Sequence, residues 1–447
     1  MTSLSDLTDK LLSAATRAGA DAADAIATDG RSVSIEVRDK ALEHAERAEG
    51  IEIGLRVLIG KRQASVSASD ASDTTIAEMA ERAVAMAGIA PEDPHIGLAE
   101  PDQLARNWDL AALDLVEDAP EPAPAAMQKA AEEAEAAALS HPGVAQVQSA
   151  ATSYSRNRIQ LAATNGFAGG YERSSHAIYC VAISGEGLEM ERDHYGEAHI
   201  YQADLPTPED VGRQAAERAV ARAGARKPKT GAYPVLYDER VATSLIGHLL
   251  QAANGSSVAR GSSWLRDRLG EAVLPETLSL TENPHRTRVS GSKPFDAEGL
   301  PTAARDIVKD GVLQGWTLDL ATARQLGMTS TASAARGTSS PPSPSITNVA
   351  LTQGDATRDD LIRDMGTGLL VTSMIGSTIS PTTGDYSRGA SGFWVQNGEI
   401  AYPVNECTIA GNLHDMLRSI RPANDARTYL SRVVPSLLVE GMTLAGE

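Results

Sequence analysis

Of nine histidines in the chain, His194 and His199 stand closest together. Five residues apart in a strand-like segment, they point to opposite faces, a poor arrangement for one metal ion. Surface or cross-strand positions suit them better. His248 follows Gly247 inside a helical pattern and alone reads as a satisfied histidine. Ser290-Gly291-Ser292-Lys293 fits Ser-x-x-Lys, and Lys229-Thr230-Gly231 fits Lys-Thr-Gly. Penicillin-binding enzymes combine these elements, but here the order is reversed and Ser290 opens no helix. Gly54 to Lys61 approximates a phosphate loop, yet the lysine is followed by Arg62, and a hairpin fits better. No His-Glu-x-x-His or Gly-x-Ser-x-Gly is present. Cys180 and Cys407 are too few for a disulfide scaffold and read as reduced core or half-buried thiols. From the residues alone, no catalytic site stands out.

The elements that would position such residues are easier to read. Apolar residues recur at helical spacing over Leu4–Ala18, and Gly19 can stop that helix. Ser32–Arg38, Ile51–Ile59 and Gln63–Ser69 alternate as strands, the last two joined at Gly60-Lys61. Thr74–Ala87 is helical again. Ile89–Ala125 is acidic, broken by six prolines, and predicts little regular structure. The order then repeats: a helix over Ala125–Leu139, strands at Val144–Tyr154, Arg158–Ala163, Gly170–Ser184 and Leu188–Gln202, and a helix over Pro208–Ala223. Arg226–Tyr233 reads as a linker. Beyond it come a strand at Pro234–Tyr237, a helix over Val241–Ala253 and many short strands. These are Thr287–Ser290, Asp306–Gln314, Gly368–Ile375, Gly392–Gln396 and Glu399–Tyr402. Asn397-Gly398 predicts a type I′ hairpin. Gly327–Ser345, rich in Ser, Thr, Ala and Pro, predicts a mobile loop. The expected fold class is α+β. Residues 1–225 form an N-terminal α/β domain of two helix–strands–helix halves. Residues 226–447 form a β-rich, mostly antiparallel, barrel-like C-terminal domain.

Composition narrows the function classes. The 447 residues carry 59 acidic and 40 basic side chains, a net charge of −19. An acidic surface repels phosphate backbones and anionic membranes, so neither nucleic acid nor a membrane surface is an expected partner. No apolar run reaches the roughly 18 residues of a membrane span, and Met1–Lys10 lacks a secretory pattern. A cytoplasmic protein is expected.

Two longer stretches carry a resemblance. Tyr233–Val273 (YPVLYDERVATSLIGHLLQAANGSSVARGSSWLRDRLGEAV) and Thr383–Leu413 (TGDYSRGASGFWVQNGEIAYPVNECTIAGNL) resemble the TldD/PmbA family, once labelled modulators of DNA gyrase. The strand pair ending in LIGKRQASVSASD is also similar, and the resemblance spans essentially the whole chain. TldD-like chains carry His-Glu-x-x-x-His on a helix and a further Cys ligand near the C-terminus. Two such histidines grip zinc from one helical face, with the glutamate as general base. Alignment through Gly261–Ser263 puts Ile246 and Gln251 at the histidine positions and Gly247 at the glutamate position. His248 falls between them. Arg427–Val439 contains no cysteine, and Cys407 lies too early. The pattern is similar to the PmbA branch, also called TldE.

The resemblance implies one subunit of a TldD–TldE metalloprotease that degrades unfolded or extended peptides. Zinc belongs to the TldD-like partner of this heterodimer, and this chain holds no cofactor and no catalytic residue. The alternative is a homodimeric peptide-binding or regulatory protein, gyrase-modulator-like and without protease activity. A peptidase with its own unrecognised site is disfavoured by the absent ligand spacing. Candidate peptide or interface residues are Arg260, Trp264, Thr347, Asn348, Asp385, Arg388 and Ser391. The Asn348 amide can bond a peptide backbone or close an Asx turn. Asp385 and Arg388 are expected to pair in a turn, and Trp264 and Arg260 are of the types favoured as interface anchors.

Overall fold

The computed structural model describes residues 3–447. Helix α1 (Leu4–Ala18) opens with a capping box between Ser3 and Asp6 and closes at Gly19, whose φ of 100° suits glycine. Strands β1 (Ala22–Arg38), β2 (Ala41–Ile59) and β3 (Arg62–Ala68) form an antiparallel meander, and α2 (Asp73–Ile89) follows. The proline-broken connection holds the short helix Leu110–Leu113. The same order then recurs as α3 (Pro124–Leu139), β4 (Val144–Ala163), β5 (Ala168–Ser184), β6 (Glu191–His199) and α4 (Pro208–Ala221). The halves join through β1 and β4, antiparallel from Asp24–Ala163 to Val37–Ala150. One six-stranded sheet results, in the order β3-β2-β1-β4-β5-β6.

Alternation along β1 assigns its faces. Ala23, Ala25 and Ala27 pack with α1 and α2, while Ile26 packs with Phe295 of the C-terminal part. The sheet thus has helices on one side and the C-terminal part on the other.

Several expected boundaries shift, each for a physical reason. β1 and β2 begin at Ala22 and Ala41, well before the alternating runs. Ala41–Gly50 is exposed at every residue and rich in Ala and Glu, so it carries no strand signal. Pairing with β1, broken only by a bulge at Glu43, holds it extended and overrides propensity. Val144–Tyr154 and Arg158–Ala163 are one continuous strand. The strand expected from Leu188 starts at Glu191, because Gly187–Glu189 forms a 3₁₀ turn. Thr287–Ser290 is not a strand: Arg288 has φ 57°, which breaks extended geometry.

The C-terminal part closes into a five-stranded barrel. Its strands are β7 (Gly231–Tyr237), β8 (Gly368–Ile379), β9 (Asp385–Gln396), β10 (Glu399–Asn412) and β11 (Leu437–Ala445). They run in the order β10-β9-β8-β7-β11, and β10 pairs with β11 to close the ring. The β7–β8 pairing is parallel and the others are antiparallel. Asn397 and Gly398 turn β9 into β10 at φ 54° and 77°, as a type I′ turn requires. Helix α5 (Glu239–Ala252) shares one core with the barrel, burying Leu245, Ile246 and Leu249 among Tyr237, Val371 and Ile409.

The expected mobile loop, Gly327–Ser345, is tied down. Ala334–Ala335 bridges Ser343–Pro344. Arg336 is wholly buried on Asp24 of β1, and the Thr338 carbonyl lies where any Cβ on Gly54 of β2 would collide with it. Small residues there serve close approach between the two parts of the chain.

Candidate functional site

Helix α5, where the resemblance expects the zinc motif of TldD-like chains, packs against the barrel. Ile246 is 1% exposed in the barrel core. Gly247 offers no side chain, and the Gln251 amide donates to Ser257 Oγ at 3.2 Å. An apolar side chain, no side chain and a hydrogen-bonded amide do not fit zinc. The Cys407 Sγ lies in the barrel wall, 3.2 Å from the Ala390 carbonyl, and burial pushes its thiol up to about 11. Cys180 is buried under the N-terminal helices and pushed up to about 12 by the same cause. Both are unreactive thiols.

His248 lies edge-on to Tyr386, with ring centroids 5.7 Å apart, and Tyr237 donates to the Tyr386 hydroxyl at 3.3 Å. Its Nε2 is buried without a hydrogen-bond partner. Burial, and secondarily the charge of Arg388, hold this imidazole below the usual histidine range. The unfolded chain therefore takes up the proton first as pH falls below about 6.5, and stability drops in that window. His248→Leu is expected to reduce the slope of the stability–pH profile between pH 7 and 5, read from denaturant midpoints. An unchanged slope would remove His248 from that pH dependence.

An open cleft of about 990 Å³ lies between β6 and two C-terminal segments, 285–289 and 428–429. Tyr195, Glu197 and His199 alternate along β6 and share one face of this edge strand. Glu197 Oε1 accepts from Tyr429 at 2.8 Å, from Tyr195 at 3.1 Å and from Arg427 at 3.1 Å. The His199 ring lies tilted against Tyr429, with centroids 5.0 Å apart. Burial and the bond to Glu197 raise the Tyr429 hydroxyl to about 12, and the neighbouring Glu239 and Glu197 raise Arg427 against its own burial. A carboxylate engaged by three donors makes a fixed polar wall. Its i, i+2, i+4 pattern, Tyr-x-Glu-x-His, was legible in the sequence as one strand face.

The seven candidate residues fall in several places. Trp264 is buried edge-on to His414, 4.7 Å between centroids, and Gly384 packs near it. Asp385 beside that glycine accepts from Thr383 Oγ1 at 2.7 Å and from Asn412 at 3.1 Å. These hydrogen bonds, that of Thr383 foremost, hold its carboxyl below the usual range. Arg388 does not pair with Asp385; it donates to the Gly376 carbonyl at 2.8 Å. The expected turn is strand β9, where residues three apart face opposite sides. Ser391 accepts from Arg222 of the N-terminal part at 3.0 Å. Arg260 is exposed at the end of the short helix Gly255–Ala259. Thr347 donates backbone and hydroxyl to Glu282, at 2.6 and 2.9 Å. Asn348 is 1% exposed and donates to Ser292 Oγ at 2.7 Å and to the Asn283 carbonyl at 3.0 Å.

Comparison with known proteins places this architecture. Three family models match in series: PmbA/TldA metallopeptidase domain 1 over residues 23–87, the central domain over 117–223 and the C-terminal domain over 230–446. The chain is 36% identical to metalloprotease PmbA of Escherichia coli O157:H7, covering 96% of this chain and 93% of that one. A PmbA homologue of Haemophilus influenzae is 35% identical, with 97% and 94% covered. A TldD homologue from the same Haemophilus strain is 27% identical over 40% of this chain and 37% of its own length. In fold, the chain matches TldE of Thermococcus kodakarensis with a TM-score of 0.85 at 19% identity, covering 98% and 100%. A Bacteroides thetaiotaomicron structure described as a modulator of DNA gyrase gives 0.92 at 24% identity, with both chains covered fully. The chain belongs to the TldD/PmbA metallopeptidase family, in its PmbA branch.

Proposed function

We propose that this chain is a non-catalytic subunit that shapes the peptide path of a zinc peptidase whose metal is held by a TldD-like partner. The observation that carries this is α5: its Ile246, Gly247 and Gln251 serve packing and local bonding where zinc chemistry needs two imidazoles and a carboxylate. That one organism carries both a PmbA homologue and a TldD homologue supports a division of labour.

What this chain contributes is a peptide-sized cleft beside an edge strand. β6 ends its sheet, so one side of its backbone has no strand neighbour among the described residues, and an extended substrate can pair there. Tyr195, Tyr429 and Arg427, locked on Glu197, keep that wall rigid. Unfolded peptide is then recognised through its backbone, with little demand on sequence.

Mixing the chain with a TldD-like relative should give one complex on size exclusion, with zinc content that follows the relative and not this chain. A stable homodimer that ignores the relative and binds extended peptide by itself would favour the regulatory reading instead.

A further inference from the structure

A second cavity, about 260 Å³, lies between the barrel-facing side of the N-terminal sheet and the segments 291–297, 334–336 and 345–347. Its walls divide by chemistry. Ile26, Ile159 and Leu161 of the sheet, with Phe295 and Ile346, make an apolar part. Arg173, Lys293 and Arg336 make a cationic part.

The cations are under-neutralised. Arg336 is 0% exposed in its side chain and shares one carboxylate, Asp24, with Arg56. Among the described residues Arg173 and Lys293 have no ion-pair partner. Arg173 Nη2 donates to the Ser292 carbonyl, and Lys293 Nζ to the Ala334 carbonyl at 3.0 Å. Asp296, the acid in the lining, is taken up by the backbone N–H groups of Glu298, Leu300 and Ala334 at 2.9–3.0 Å. Arg173 Nε and Arg336 Nη2 are buried with no hydrogen-bond partner. A buried guanidinium N–H left unpaired is costly, and both belong to arginines of this lining. These three cations line one cavity of a chain whose net charge is −19.

We propose that this cavity binds a carboxylate that carries an apolar group, the carboxylate on Arg173 and Lys293 and the apolar group on the Ile26–Phe295 wall. Guanidinium groups match the planar, two-oxygen geometry of a carboxylate. Two sources share this chemistry: the C-terminal residue of a peptide, and a free small carboxylic acid. The peptide source rests on the function proposed above; the carboxylate site itself does not.

The test uses the full chain alone, by calorimetry and thermal shift. The probes are N-acetyl-leucine, its amide N-acetyl-leucinamide, 4-methylpentanoate and the peptide acetyl-Ala-Ala-Ala-Leu with a free carboxylate. N-acetyl-leucine should bind and raise the melting temperature, and the amide should bind at least tenfold more weakly. Peptide binding tighter than 4-methylpentanoate assigns the site to a chain terminus, and the reverse order to a free acid. Arg173→Gln and Lys293→Gln should each weaken the carboxylate at least tenfold and leave the weak amide binding unchanged. Equal binding of acid and amide, or no binding by either, would overturn the site. Because no partner is present, that failure is separate from failure of the subunit function.

Discussion

Asp24→Ala is expected to unfold the junction between the two parts of the chain, at a cost of about 3–5 kcal/mol. Asp24 is a single carboxylate between two buried guanidinium groups, Arg56 from β2 and Arg336 from the docked loop. Side-chain exposure is 10% for Asp24, 5% for Arg56 and 0% for Arg336, so water cannot take over the lost contacts. Burial pushes the Asp24 carboxyl up, but Arg56 and Arg336 outweigh it and hold it below its ordinary value. Its stabilisation is therefore present above the usual carboxylate range near pH 4 and lost as pH falls through the lower folded value. Arg336→Met should cost less, because the Asp24–Arg56 pair survives. Denaturant midpoints of both variants check this; equal losses would show that the triad is not acting through uncompensated charge.

The second large effect concerns α5. Rebuilding the zinc motif types with Ile246→His, Gly247→Glu and Gln251→His is expected to destabilise the chain by about 2–5 kcal/mol without creating a zinc peptidase. Ile246 is 1% exposed, so an imidazole there loses apolar burial and places ring nitrogens in the barrel core. The additional ligand is also missing: 427–439 has no cysteine, and Cys407 is committed to the barrel wall. Metal analysis and unfolding curves of the triple variant decide it. Stoichiometric zinc at native stability would show that α5 still presents a metal-binding face.

Much of the fold was legible because hydrophobic period and turn chemistry agree in this chain. The twofold helix–strands–helix order and the Asn397-Gly398 hairpin both follow from local signals. What stayed hidden is long-range. Nothing local shows that β1 and β4 zip the halves into one sheet. Ala41–Gly50 is held extended by pairing with Gly30–Arg38, 3 to 20 positions earlier, and not by its own composition. Gly327–Ser345 looks mobile by composition, but Arg336 fixes it to a residue 312 positions earlier. Asp385 and Arg388 looked like a turn pair; a strand separates them onto opposite faces. The Glu197 wall needed both β6 and the distant residues Arg427 and Tyr429. The resemblance puts Ile246, Gly247 and Gln251 at the zinc-motif positions, an assignment no local signal carries.

In the proposed function this chain shapes a peptide path and leaves the metal chemistry to a partner. Chelator-sensitive cleavage of an unfolded peptide, measured for the purified chain alone and again with a TldD-like relative, tests it most directly. Cleavage only in the mixture, lost when the relative's own zinc motif is mutated, is the expected result. Chelator-sensitive cleavage by this chain alone would contradict the claim and place a working metal site within its own residues.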